Sequence, residues 1–206
     1  MKNLKNLFVI VSFLLLTSQA FALDFRALQD KYDYVDPEKE VPQALLMKAL
    51  EAYETYLNAN KMENDRYLSV IDFSKHNSKE RFFIIDMQSG YVESYLTAHG
   101  KKSDPKHTGY ATSFSNVDGS NKTSLGLYKT AETYYGQNGY SLKLDGLSTT
   151  NSNARKRYIV IHGASYVRPG NLIGRSLGCP AVEERYHADL IDRLKGGSLL
   201  YAGLSK

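Results

Sequence analysis

Two stretches decide the reading of this chain: Arg157-Tyr158-Ile159-Val160-Ile161-His162-Gly163 and Gly174-Arg175-Ser176-Leu177-Gly178-Cys179-Pro180. The first is rich in β-formers and ends in a histidine and a glycine. It predicts a strand over 157–161 that carries His162 to a sheet rim, where loops gather. In the second, glycine lets the chain turn sharply and the sole cysteine follows. Pro180 suits the first position of a helix, so a helix is expected over 180–194 with Cys179 at or near its N-cap. There, unpaired N–H groups and the helix dipole would lower the thiol pKa. A thiolate with a histidine to take its proton is the pair that acyl transfer needs. The N–H groups of Gly178 and Cys179 would meet a developing oxyanion. Each residue alone has a plainer reading, the cysteine as a small buried apolar group and the histidine as a core residue. Both stand at an element's edge, and that favours the reactive pair.

Working outward, strand-like runs occupy 67–73, 81–87 and 91–98, with a hairpin turn at Ser89-Gly90. Residues 99–124 are rich in Gly, Ser, Asn, Lys and Thr and read as a long loop, a length that is often functional. Further strands are expected at 125–130, 141–144 and 198–202, and Gly196-Gly197 ends the late helix. Upstream, Ala44, Leu45, Ala49, Ala52, Tyr53, Tyr56 and Leu57 recur at helical spacing behind Pro42, and Asn58-Ala59-Asn60 marks the end. That stripe is expected to pack on the next domain. The expected fold is mainly β (α+β): a β-rich catalytic domain over 66–206 with one late helix. A helical extension over 23–65 precedes it.

Residues 1–22 read as a secretion signal. Lys2 and Lys5 make a basic start, Leu7 to Leu16 is almost wholly apolar, and Ala20-Phe21-Ala22 is a small-x-small cleavage site. The apolar run is about half of the roughly 20 residues a membrane span needs, and no cysteine follows it to take a lipid. An exported, periplasmic protein without a stable membrane anchor is expected.

The 206 residues carry 42% hydrophobic and 23% charged side chains, an ordinary globular balance. Lys and Arg number 26 and Asp and Glu 22, giving +4. Without Lys2 and Lys5 the balance is +2, too even to argue for nucleic acid. The basic Lys101-Lys102-Ser103-Asp104-Pro105-Lys106 patch reads as a solvated loop. A single cysteine excludes an internal disulfide framework or a multi-cysteine metal site. No His-Glu-x-x-His spacing, phosphate loop, Gly-x-Ser-x-Gly elbow or dinucleotide fingerprint appears, so neither metal nor cofactor is expected. A papain-type protease fits poorly, because there the cysteine lies well before the histidine, whereas here it follows by 17 positions.

His162-Gly163 followed by Ser176-Leu177-Gly178-Cys179 resembles the murein L,D-transpeptidase catalytic domain family in motif and spacing. Leu125-Gly126-Leu127-Tyr128 resembles the strand that precedes the family's active site. His99-Gly100-Lys101, Phe114-Ser115-Asn116, Ser124-Leu125-Gly126 and Asn153-Ala154-Arg155 resemble marks of one subgroup. The likeness covers about residues 67–201. It implies a β-rich fold and a thioester on Cys179, formed by attack at the meso-diaminopimelate–D-Ala bond of a peptidoglycan tetrapeptide stem. It implies that His162 moves the protons and that the Gly163 carbonyl is the third catalytic member. Transfer to an amine of a neighbouring stem would make a 3-3 cross-link. Arg175 and Ser176 would orient the loop or the substrate's carboxylates. His99, which repeats the strand–His–Gly layout, is a second candidate for lining the cleft.

Two positions depart from the common family motif. Leu177 stands where the motif has histidine, and Ala181 where it has Arg or Asn. Both leave the acyl acceptor open. With water the site would be an L,D-carboxypeptidase or endopeptidase, and without turnover the chain would be a murein-binding module. Oligomeric state is not legible in the sequence.

Overall fold

The structure is a computed structural model that describes residues 25–206. The expected signal segment 1–22 lies outside the described residues. Residues 25–31 are helical. Residues 35–206 form one compact unit, and the expected boundary at 65/66 falls inside it.

That unit is built on an eight-stranded sheet. Its strands, in chain order, are β1 (Tyr67–Asp72), β2 (Phe82–Asp86), β3 (Val92–Tyr95), β4 (Gly126–Gly136), β5 (Gly139–Gly146), β6 (Val160–Gly163), β7 (Ala181–Val182) and β8 (Leu199–Gly203). Across the sheet the order is β3-β2-β1-β8-β4-β5-β6-β7. Two neighbour pairs are parallel, β1 with β8 and β6 with β7. The others are antiparallel.

Helix α1 (Gln43–Asn58) and helix α2 (Glu184–Leu194) cover opposite faces of the sheet. Alternation along the strands sorts the two sides. Ile71, Ile84, Leu200 and Ala202 share a core with Leu190, Ile191 and Leu194 of α2. On the other face, Leu45 of α1 lies against Gly203, where an added Cβ would come 2.7 Å from its Cδ2. Helix α1 opens behind Pro42 and ends at Asn58, as the sequence predicts. Its buried face includes Met47 and Leu50 besides Leu45, Ala49 and Tyr53, while Ala44 is exposed. Each fully buried leucine or isoleucine on these helices stabilises the fold by about 1.5–3 kcal/mol.

Strands β4 and β5 run well beyond their expected lengths. They form one ribbon, closed by the Gly136–Gly139 pair and kinked between Thr130 and Thr133. The kink turns the Thr130 hydroxyl toward the end of α2, where it donates to the Leu194 carbonyl at 2.6 Å and accepts from Gly197 N–H at 3.1 Å. The loop 99–124 is held by side chains. Asp104 accepts N–H groups of Thr108 and Gly109 at 2.8 and 2.7 Å, and Thr123 Oγ1 accepts from Gly100 N–H at 2.9 Å. Among the described residues, no helix is long and apolar enough to cross a membrane.

Candidate active site

Strand β6 starts at Val160 and delivers His162 and Gly163 to the sheet edge, where β7 pairs with it in parallel register: His162 faces Ala181 and Gly163 faces Val182. This corrects the expected helix over 180–194. Pro180 leads into a short strand, and α2 begins only at Glu184, five residues after the cysteine. The reason lies in the pairing partners. Ala181 and Val182 are buried, and the Ala181 carbonyl takes hydrogen bonds from Ala98 N–H at 2.9 Å and Thr97 Oγ1 at 3.0 Å. Sheet contacts therefore override the helical pattern.

The chain into β7 carries Cys179 alongside the approach to β6. Cys179 lies two residues before Ala181, and its carbonyl accepts from Ala181 N–H at 3.0 Å across a tight turn at Pro180. Its Sγ donates to the Tyr158 carbonyl at 3.4 Å, and the Val160 N–H is aimed at the sulfur. Cys179 is half-buried and caps no helix. Burial pushes its thiol above the ordinary value, against the opposing pull of the Val160 N–H and the Arg157 charge. This reverses the expected depression of the thiol pKa: with no helix N-terminus behind the sulfur, desolvation wins.

His162 is 4% exposed. Its Nδ1 lies 2.9 Å from the Gly163 carbonyl oxygen. A carbonyl only accepts, so Nδ1 carries the hydrogen and Nε2 is left as the basic nitrogen. Burial holds the imidazole below its ordinary pKa; the Gly163 carbonyl opposes that shift and the neighbouring His187 charge adds to it. The resting pair is therefore a neutral thiol and a neutral imidazole.

Ser176 shapes the loop that carries the cysteine. Its Oγ donates to the Cys179 carbonyl at 2.7 Å and accepts from Gly178 N–H at 3.0 Å. Its own N–H donates to the His99 carbonyl at 2.9 Å. Gly178 has φ +135, and a Cβ there would lie 2.9 Å from the Lys122 carbonyl oxygen, so no other residue fits without displacement. The Gly178 N–H expected at an oxyanion is committed to Ser176 Oγ. That leaves the Cys179 N–H as the candidate donor.

Two expected substrate contacts are placed elsewhere by the structure. His99 is 0% exposed. Its Nδ1 accepts from Arg81 Nη2 at 2.9 Å, and its Nε2 lies 3.5 Å from Asp104 Oδ2 without a hydrogen bond. Burial, with the Arg81 charge, pulls its pKa down to about 4. It is an interior histidine, neutral at Nδ1 because a guanidinium can only donate to it. Arg175 is half-buried and binds the carbonyls of Lys101, at 3.3 Å, and Asp104. It ties the Cys179 loop to the 99–124 loop.

Three residues at the site escaped the sequence reading. Arg157 donates to the carbonyls of Ser115 at 2.7 Å and Lys122 at 2.6 Å, fixing the loop beside the sulfur. Its position in a strand-like run hid it. His187 packs its ring over Gly163 and has Nδ1 2.6 Å from the Glu184 carbonyl. Its spacing on a helix gave no signal of that neighbour. Tyr158 has φ +54 and is 79% exposed, directly at the thiol's acceptor carbonyl. The motif pieces Asn116 and Asn153 meet as well: Asn153 N–H donates to Asn116 Oδ1 at 3.0 Å, which staples the turn before β6 to the long loop. Ala181 is 0% exposed, so the position where the common motif has a polar residue is interior here. Among the described residues, no group of three or more His, Cys, Asp or Glu side chains could hold a metal ion.

The comparisons with known proteins follow the same line. No curated protein matches the chain by sequence. Among solved structures, Bd1075 of Bdellovibrio bacteriovorus is 15% identical with a TM-score of 0.42, over 68% of this chain and 49% of that one. An L,D-transpeptidase from Mycobacterium smegmatis is 13% identical with a TM-score of 0.41, over 67% of this chain and 58% of that one. An L,D-transpeptidase of Xylanimonas cellulosilytica is 15% identical with a TM-score of 0.39, over 73% and 68%. The chain thus spans about half of the first of these and under two thirds of the second. At such scores the family assignment rests on the family model for the L,D-transpeptidase catalytic domain, which matches residues 37–202. That match takes in α1, the whole sheet and the Cys179–His162 edge, and the chain belongs to the L,D-transpeptidase catalytic domain family.

Proposed function

We propose that this chain is an exported cysteine acyltransferase that acts on peptidoglycan tetrapeptide stems. The observation that carries the reading is the β6–β7 register. It pairs His162, whose ring is oriented by the Gly163 carbonyl, with Ala181, two residues after a Cys179 whose Sγ meets the Tyr158 carbonyl. In the proposed reaction His162 Nε2 takes the thiol proton as Sγ attacks the carbonyl of the meso-diaminopimelate–D-Ala bond. The Cys179 N–H would stabilise the oxyanion. The imidazolium returns that proton to the leaving D-Ala amine, and a thioester remains. An amine of a second stem then attacks the thioester, loses a proton to His162 and releases the thiolate, which is reprotonated. The product is a 3-3 cross-link. Loss of a neutral thiol proton in concert with attack suits a site whose thiol and imidazole are both neutral at rest.

A second reading keeps the acyl-enzyme and replaces the amine by water, giving an L,D-carboxypeptidase. The interior Ala181 favours it, because it presents no polar anchor for an acceptor stem. The basic, apolar and small-residue pattern of 1–22 supports delivery to the periplasm, where the substrate lies.

Incubation of the purified chain with tetrapeptide-rich sacculi, followed by mass spectrometry of the muropeptides, separates the outcomes. New 3-3 dimers that require Cys179 establish transfer to an amine. Tripeptides without dimers make water the acceptor. Binding to sacculi that survives Cys179→Ala, with no new muropeptide, leaves a wall-binding module.

A further inference from the structure

Two apolar side chains stand in solvent on residues next to Cys179, one in contact with its sulfur through the backbone and one close in the chain. Tyr158 is 79% exposed and Leu177 is 62% exposed. The Tyr158 carbonyl accepts the thiol at 3.4 Å, and Leu177 lies two residues before Cys179, joined through Gly178. A third, Tyr166, is 36% exposed, lies against Gly174 of the same loop, and feels the charge of Cys179.

Tyr158 is also in an unfavourable backbone state. Its φ of +54 is the left-handed region, where a bulky side chain is disfavoured and Asn or Gly is at home. The turn imposes that state: Tyr158 N–H donates to Arg155 O at 3.2 Å, and Ile159 N–H to Ala154 O at 3.0 Å. The side chain contributes little in return, since a ring so exposed adds little to the core. A strained residue with a solvent-facing aromatic ring, one carbonyl away from a nucleophile, is the pattern of a binding residue held in place by its surroundings.

We propose that Tyr158 and Leu177 form an apolar shelf that holds the acyl-donor peptide against the thiol, with Tyr158 a specificity-determining residue. The inference rests on the acyl-transfer reading and adds the contact that selects the donor. The residues nearest the sulfur meet those nearest the scissile bond, so the shelf takes the methylene chain of the residue whose carbonyl is attacked. A tyrosine ring suits that task, being large, rigid and apolar on its face.

The test uses tetrapeptide stem binding to Cys179→Ala protein, with and without Tyr158→Asn, by calorimetry. Tyr158→Asn is expected to weaken Kd about tenfold while the thermal midpoint stays or rises, since Asn tolerates the left-handed region. Tyr158→Phe is expected to bind like the parent. Leu177→Ala, which leaves the turn untouched, is expected to weaken Kd about threefold, in line with partial loss of apolar contact. In the protein with its thiol, Tyr158→Asn should raise KM far more than it lowers kcat. Stem binding that is unchanged by both Tyr158→Asn and Leu177→Ala overturns the shelf. If the intact protein turns over no stem yet binding still depends on Tyr158, the acyl-transfer reading falls and the shelf stands.

Discussion

Gly163 and His187 are locked together. A Cβ on Gly163 would lie 2.8 Å from His187 Cγ and 2.9 Å from its Nδ1, so the glycine lets the ring close over the peptide whose carbonyl orients His162. His187 also adds a like charge near His162. The base must be neutral to accept the thiol proton, so activity falls as pH drops through the lowered His162 pKa. The acid limb of kcat/KM is therefore expected below the ordinary histidine value of about 6.5. His187→Ala should move that limb upward, because one contribution to the lowering is gone. Gly163→Ala should lower kcat more than tenfold with little change in thiol alkylation. A pH–rate profile of the three proteins checks both.

The thiol is expected to be protonated at rest. Burial raises its pKa above the ordinary value, so alkylation by a small reagent such as iodoacetamide should be slow at pH 7 and rise only above about pH 9. Arg157→Gln removes a charge that favours the thiolate and should shift the alkylation profile further upward. A profile centred near pH 6 in the free protein would indicate a resting ion pair instead.

Ser176→Ala should strip the Cys179 loop of two hydrogen bonds, one to the Cys179 carbonyl and one from the Gly178 N–H. The Cys179 carbonyl keeps the Ala181 N–H, but leaving the buried Gly178 N–H unpaired costs on the order of 1–3 kcal/mol. The expected result is a loss of tenfold or more in kcat/KM and a thermal midpoint lower by several degrees. Ser176→Thr, which keeps the oxygen, should recover most of both.

His99 predicts an acid instability. Its folded pKa of about 4 lies below the unfolded value of about 6.5, so the unfolded chain takes up the proton first. The contribution is intact above pH 6.5 and is lost as pH falls toward 4. The gap corresponds to roughly 3 kcal/mol at most. His99→Gln keeps an acceptor for Arg81 and should flatten this dependence in denaturant titrations between pH 7 and 4.

Residue chemistry made the site legible where one strand or one motif carried it. The apolar run before His162 forecast a strand that ends at an edge, and the Ser176–Cys179 motif forecast a tight loop with the sulfur at its end. Patterns that depend on distant partners were not legible. The helix expected over 180–194 is real only from Glu184 onward, because Thr97 and Ala98 recruit Ala181 into the sheet. His99 repeats the layout of His162, yet the buried guanidinium of Arg81 holds the first, while the Gly163 carbonyl orients the second. Nothing in the local sequence distinguishes the two. The length of the β4–β5 ribbon was missed for a similar reason: its Tyr- and Gly-rich tip is held by pairing across the ribbon, Tyr134 with Ser141 and Tyr135 with Tyr140, which no single run reveals.

The most direct test of the account is the intact mass of the purified chain after brief mixing with a soluble tetrapeptide stem. The account predicts a mass gain equal to the stem without its terminal D-Ala, mapped to Cys179, decaying when an amine acceptor is added and absent in Cys179→Ala. Turnover of the stem that persists undiminished in a folded Cys179→Ala protein would contradict it.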